Sequence, residues 1–183
     1  ECDNWDRAWS GSILDEARRG WLYPLERNSK AQVAFKQCEW NKFRVEAYGD
    51  RIRTFVNGIG CIDLIDDMTA KGFIGLQVHR VSGKKELLGR KGRWRNLRIL
   101  TSNVKDHLSK EDDSVPQVNL IPNVLSEKQK RTGWKLLWDG KTVKGWRGAK
   151  LDDFPRTGWK IVDGELAVLS SKDNPGSRGG DIV

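Results

Sequence analysis

The dipeptide Asn57-Gly58 constrains this chain more than any other pair of residues in it. It separates Arg51-Ile52-Arg53-Thr54-Phe55-Val56 from the stretch Gly60 to Ile65, both rich in β-branched or aromatic residues. A hairpin loop of two residues needs positive φ at both positions, and Asn followed by Gly reaches that at least cost. The flanks are therefore expected to pair as antiparallel strands. Phe43-Arg44-Val45-Glu46-Ala47-Tyr48 alternates apolar with polar residues and meets Arg51 through a Gly49-Asp50 turn, adding a third strand to the meander. Two more strands are expected over Gly72 to Arg80 and Arg93 to Leu100. Helical periodicity is scarce, and its one short candidate is a turn at Asp15-Glu16-Ala17-Arg18-Arg19. The expected class is all-β.

Residues 101–133 differ in kind. They contain no Trp, Phe or Tyr, hold the polar run Ser109-Lys110-Glu111-Asp112-Asp113-Ser114, and read as a linker with a short helix at Leu125 to Lys130. Aromatic residues then return. Gly133 to Lys141 is expected as a strand ending in an Asp-Gly turn, and Gly158 to Leu169 as a hairpin around Asp163-Gly164. Gly179 to Val183 has the pattern of a strand beginning. The expected organisation is a first block over 1–100, a linker over 101–133 and a second block over 134–183.

Composition narrows the function classes. Nine Trp, 19 Gly and only five Pro belong to a folded core with many turns rather than to a disordered chain. No run approaches the ~18–20 apolar residues of a membrane span. The polar start Glu1-Cys2-Asp3-Asn4 has no signal-peptide pattern, and a chain opening without Met reads as a processed or excised piece. The net charge of +8, from 33 basic and 25 acidic residues, is spread thinly except in the loop from Lys84 to Arg93. Such a Gly-punctuated loop is ordinarily a solvated hairpin tip, with polyanion binding as the sharper alternative; nucleic acid is not the expected partner. Cys2, Cys38 and Cys61 lack metal-binding spacing, so small buried thiols are expected, with one disulfide left open. Asp63, Asp66 and Asp67 follow no calcium-loop motif. No metal and no cofactor are predicted.

The motifs resemble one family. Leu137-Trp138-Asp139-Gly140-Lys141-Thr142-Val143-Lys144-Gly145-Trp146, Gly158-Trp159-Lys160-Ile161-Val162-Asp163-Gly164-Glu165-Leu166 and Gly179-Gly180-Asp181-Ile182-Val183 are similar to the opening of the 3-keto-disaccharide hydrolase family. Gly11-Ser12-Ile13-Leu14-Asp15, Glu39-Trp40-Asn41, Val56-Asn57-Gly58, Gly72-Phe73-Ile74-Gly75-Leu76-Gln77-Val78-His79 and Trp94-Arg95-Asn96-Leu97-Arg98-Ile99 resemble its closing half, in order. The resemblance implies a concanavalin A-like jelly-roll β-sandwich seen as parts of two tandem domains. Residues 1–100 would be the C-terminal half of the first and 134–183 the N-terminal part of the second. The alternative is two halves that complement each other as a permuted jelly roll. A secreted or periplasmic setting is implied by the resemblance alone.

The period of two places Gln77 and His79 on one face of their segment, opposite Ile74, Leu76 and Val78. Polar residues on an exposed strand face are ordinary, and a lone His is more often structural than catalytic. The resemblance shifts that balance. In a 3-keto-glycoside the ketone acidifies the C2–H, so a base removes that proton, an acid protonates the departing C1 oxygen, and water re-adds. His79 suits acid or base work because imidazole titrates near neutrality. Gln77 suits a hydrogen bond to a hydroxyl or to the carbonyl. A carboxylate partner is expected from outside the chain, with Asp3 as a remnant of its neighbourhood. Arg95 leans functional and Asn96 structural. Trp5, Trp9 and Trp21 are candidates for stacking on a sugar ring, whereas Trp40, Trp94, Trp138 and Trp159 are expected in cores. The expected partner is an oligosaccharide or 3-keto-glycoside. A non-catalytic glycan-binding module is the alternative.

Overall fold

The computed structural model describes residues 8–78, 89, 91–169, 172 and 180–183. The chain divides into two compact units, Glu1–Pro116 and Gln117–Val183. Strands dominate, helices are short, and the sheets are open rather than closed, so the architecture is all-β.

In the first unit, β1 (Ile13–Asp15) pairs antiparallel with β2 (Gly20–Tyr23). A 3-10 turn (Leu25–Arg27) and the single-turn helix α1 (Ser29–Gln32) follow. Then β3 (Phe43–Tyr48), β4 (Arg51–Val56) and β5 (Ile59–Ile65) form the expected meander, with β3 and β4 paired along their full length. Asn57 and Gly58 have φ of 52° and 85°, the doubly positive turn that their identities predict. Leu25, Val56, Cys61, Ile62 and Leu64 are fully buried. The buried Asn28 side chain joins the helix to this core. It accepts from the Ala31 N–H at 3.2 Å and donates to the Gly60 and Cys61 carbonyls at 3.0 and 3.1 Å.

Asn57 does more than turn the chain. Its Nδ2 donates to the Ala34 carbonyl and to Asn41 Oδ1, both at 2.8 Å, and its Oδ1 accepts from the Lys42 N–H at 2.9 Å. Asn57→Ala should cost about 2–3 kcal/mol, from these bonds at ~1 kcal/mol each and from the positive φ. Asn57→Gly keeps the turn but not the bonds, and should cost less. Equal urea midpoints for the two variants would show that backbone conformation contributes nothing here.

The second unit contains β6 (Gln117–Asn119), the helix α2 (Glu127–Arg131) and the hairpin β7 (Trp159–Val162) to β8 (Glu165–Val168). Ser126 and Gln129 form a capping box that starts α2, one residue or two from its expected limits. The β7–β8 turn has positive φ at Asp163 and Gly164 (49° and 79°), as the sequence predicts.

Three expected strands do not form. Residues 72–78 and 93–100 have no regular structure, with Asn96 at a φ of 56°, and their apolar side chains are open to solvent, with Phe73 96% and Ile74 80% exposed. Alternation is a local signal, but a strand needs a ladder partner, and the described residues offer these segments none. Gly133 to Lys141 is irregular, with bends at Leu137, Gly140 and Lys141, instead of a strand. There the Asp139 carboxylate accepts from the N–H groups of Lys141 and Thr142, at 2.8 and 2.7 Å, and from the Thr142 hydroxyl at 2.7 Å. Of the strand expected from Gly179, Gly179 lies outside the described residues and Ile182 forms one isolated bridge to Gly148.

The bonds to the Thr142 and Lys141 N–H groups hold the Asp139 carboxyl down at about 2, against an ordinary 3.8. A depressed carboxyl stabilises the fold above its unfolded value and loses that contribution as pH falls through its folded one. The Thr142 and Lys141 amide resonances should therefore shift together with a common midpoint near pH 2. Midpoints near the ordinary carboxylate value would show the turn to be open in solution.

Candidate functional site

Two clusters of charge occupy the first unit, and they differ in how fully they are used. The first lies across the meander, where register aligns Glu46 with Arg53 and Arg53 with Asp63. Arg51 clasps Asp63 with two bonds of 2.8 and 2.9 Å and also reaches Glu111 at 2.5 Å. Glu46 lies between Arg44 at 2.7 Å and Arg53 at 2.6 Å, and accepts from the Ser109 N–H and hydroxyl. Burial pushes the Glu46 carboxyl up, but the Ser109 and arginine bonds outweigh it and hold the group below its usual range. Asp63 is only 3% exposed, and Glu46 7%. Glu46 Oε2 has the Arg53 guanidinium at 2.6 Å but no hydrogen bond of good geometry, and the ladder as a whole ties residues 109–111 to the sheet.

The second cluster is at the β1–β2 turn. The sequence expects a turn over Asp15 to Arg19, and the structure has one, with positive φ at Ala17 (62°) and Gly20 (74°). Asp15 accepts from Arg18 and Arg19, each at 2.7 Å. Arg19 also clasps Asp66 with bonds of 2.9 and 2.7 Å. The Arg19 guanidinium accordingly holds the Asp15 and Asp66 carboxyls below the usual carboxylate range. Arg18 reaches the Thr69 hydroxyl at 3.3 Å. Glu16 stands apart from these pairs. Its exposed carboxylate accepts one described hydrogen bond, from Gln77 Nε2 at 2.8 Å.

Of the side chains singled out in the sequence, Gln77 is thus placed beside a carboxylate. Arg95 is exposed and lies over the ring of Trp40, its guanidinium carbon 4.0 Å from the ring centroid. Trp9 is half-buried and packs edge-on against Trp21, with centroids 4.9 Å apart. These three residues therefore have three different partners. His79, Asp3 and Trp5 lie outside the described residues, as does most of the basic loop from Lys84. Trp40 and Trp94, expected in a core, are instead 51% and 48% exposed. Cys61 is buried, which pushes its thiol up, whereas Cys38 is exposed; both are free. Asp63 and Asp66 are engaged by arginines. Among the described residues no group of three or more His, Cys, Asp or Glu is arranged to hold a metal ion. No helix of the described residues is long and apolar enough to cross a membrane.

The pairing of Glu16 with Gln77 is not visible in the sequence, although Asp15-Glu16 stands in the predicted turn. What hid it is that the contact with Gln77 spans 61 residues, beyond any local pattern.

The model of the 3-keto-alpha-glucoside-1,2-lyase-like domain matches residues 1–100. No curated protein matches the chain.

Proposed function

The chain belongs to the 3-keto-alpha-glucoside-1,2-lyase-like domain family, and from that premise we propose that it cleaves 3-keto-glycosides. The observation that carries the reading is the Gln77–Glu16 contact of 2.8 Å, which supplies the carboxylate the chemistry requires. His79 follows Gln77 by two residues.

In the proposed reaction Glu16 accepts the C2 proton that the C3 ketone has acidified. The C–H electron pair forms the enolate. His79 as imidazolium donates a proton to the glycosidic oxygen as the C1–O bond breaks, so the aglycone leaves as an alcohol. An unsaturated 3-keto sugar remains, and addition of water across C1 and C2 completes a hydrolysis. Gln77 orients Glu16 and retains amide capacity for a sugar hydroxyl or the developing enolate oxygen. Arg95 and Trp9 are assigned to substrate binding on the same reading.

The test is turnover of a 3-keto-glucoside and of the same glucoside unoxidised. Cleavage of the keto substrate alone, with an unsaturated ketone appearing before or with the free sugar, is the expected outcome. Equal cleavage of both would overturn the elimination route. Saturable sugar binding without turnover would make this a glycan-binding module.

A further inference from the structure

The strand β3 is the outer strand of its sheet, and among the described residues no strand pairs with its free side. It is also the least covered strand of the meander. Phe43 is 42% exposed and Val45 65%, whereas Val56 and Thr54, directly opposite them on β4, are buried. Residues opposite one another share a face, so Phe43, Val45 and Ala47 carry the core face of the sheet out past the part that is covered. The free side of a strand is a row of N–H and C=O groups that templates another strand, and natural edges are blunted by proline, bulges or inward charges. β3 has none of these. It holds no proline, pairs with β4 in unbroken register over all six residues, and places no charge on its core face.

From this edge we infer that β3 is an interface between two copies of the chain, each pairing its β3 antiparallel with the other's across a two-fold axis. The residues of the strand select both that occupant and its register. Core face must meet core face, so odd-numbered residues lie opposite odd-numbered ones, and a slip of one residue is excluded. With Val45 opposite Val45 of the second copy, Phe43 meets Ala47 and Arg44 meets Glu46, on both sides of the axis. A slip of two residues one way sets Arg44 against Arg44, and the other way sets Glu46 against Glu46. Like charges directly opposite are destabilising and opposite charges favourable, so the central register is preferred to both of its neighbours. The Arg44 side chain is 48% exposed, with its Nε on its own Glu46 and its Nη2 on the His107 carbonyl. Neither Glu16 nor Gln77 belongs to this edge, so the interface is independent of the reaction proposed above.

The experiment is sedimentation equilibrium of the whole chain from about 5 μM to about 1 mM. A monomer–dimer equilibrium is expected. Val45→Lys sets two ammonium groups against each other at the axis and should weaken association about a hundredfold. Val45 is exposed in the single chain, so this variant should melt with the unsubstituted protein when both are dilute. Val33→Lys, at a residue outside β3 that is 79% exposed, should dimerise normally. Register is read from Val45→Cys and Tyr48→Cys, each made together with Cys2→Ser and Cys38→Ser, which leaves only the buried Cys61. A short bismaleimide should capture Val45→Cys as a covalent dimer. It should not capture Tyr48→Cys, because the two copies of that position lie six residues of strand apart, about 20 Å. A dimer that Val45→Lys leaves intact, or capture of Tyr48→Cys in place of Val45→Cys, would overturn the interface. So would a monomer throughout the range, which would give the edge to a strand of a different chain.

Discussion

Alanine at Gly11 should lower the stability of the first unit by roughly 2–5 kcal/mol. Gly11 has a φ of +95°, which side chains rarely adopt. A Cβ there would lie 2.9 Å from Cys61 Sγ and 3.0 Å from Val56 Cγ2. Cys61 and Val56 are both fully buried, so neither has room to retreat. The Gly11 carbonyl also accepts the Thr54 hydroxyl at 2.5 Å, which binds this backbone to β4. The control is Gly49→Ala. Gly49 has a φ of +61° with nothing within 4 Å of a Cβ, so its substitution carries conformational strain of only ~1 kcal/mol. A melting point for Gly11→Ala some 10 °C or more below that of Gly49→Ala would isolate the packing contribution. Equal melting points would mean that the Gly11 segment does not sit against Cys61 and Val56 in solution.

Gly11 also shows where sequence reading succeeds and where it stops. The β3–β4–β5 meander was legible because each of its signals is local: period-two alternation, Gly49-Asp50 and Asn57-Gly58 all act within a few residues. The Asp163-Gly164 hairpin and the Ser126–Gln129 capping box were legible for the same reason. Residues 72–78 and 93–100 carry an equally good local pattern, yet they do not form strands, because pairing depends on a partner the pattern does not name. Burial fails in step: Trp40 and Trp94 look like core residues by type, but type cannot supply the layer that would cover them. Asn28 gives little local signal because two of its three bonds join the start of α1 to β5, more than 30 residues away. The candidate site divides in the same manner. Gln77 stands in a motif that can be read locally, whereas its contact with Glu16 is visible only once the fold has brought the β1–β2 turn to it.

Glu16→Gln and His79→Ala should each reduce kcat on a 3-keto-glucoside by roughly 10²–10⁴, the usual value of a positioned acid or base. Their effects should be separable. Removing the base leaves a rate limited by C2 proton abstraction, so a C2-deuterated substrate should show a large isotope effect in Glu16→Gln. Removing the acid leaves departure of the aglycone as the obstacle, so His79→Ala should recover rate on substrates whose leaving group is a weakly basic phenol. The two single losses should not add in the double variant, since residues acting as one unit behave non-additively. Folding gives no cause for either loss in Glu16→Gln: the side chain is exposed, and the arginine pairs of the turn run through Asp15 and Asp66 instead. Gln77→Ala supplies the remaining distinction. If Gln77 acts by holding Glu16, the variant should lose kcat with the isotope effect of Glu16→Gln, whereas a residue that only binds sugar would raise KM. Full activity in Glu16→Gln would remove Glu16 from the reaction and return the search for the carboxylate to residues outside the turn.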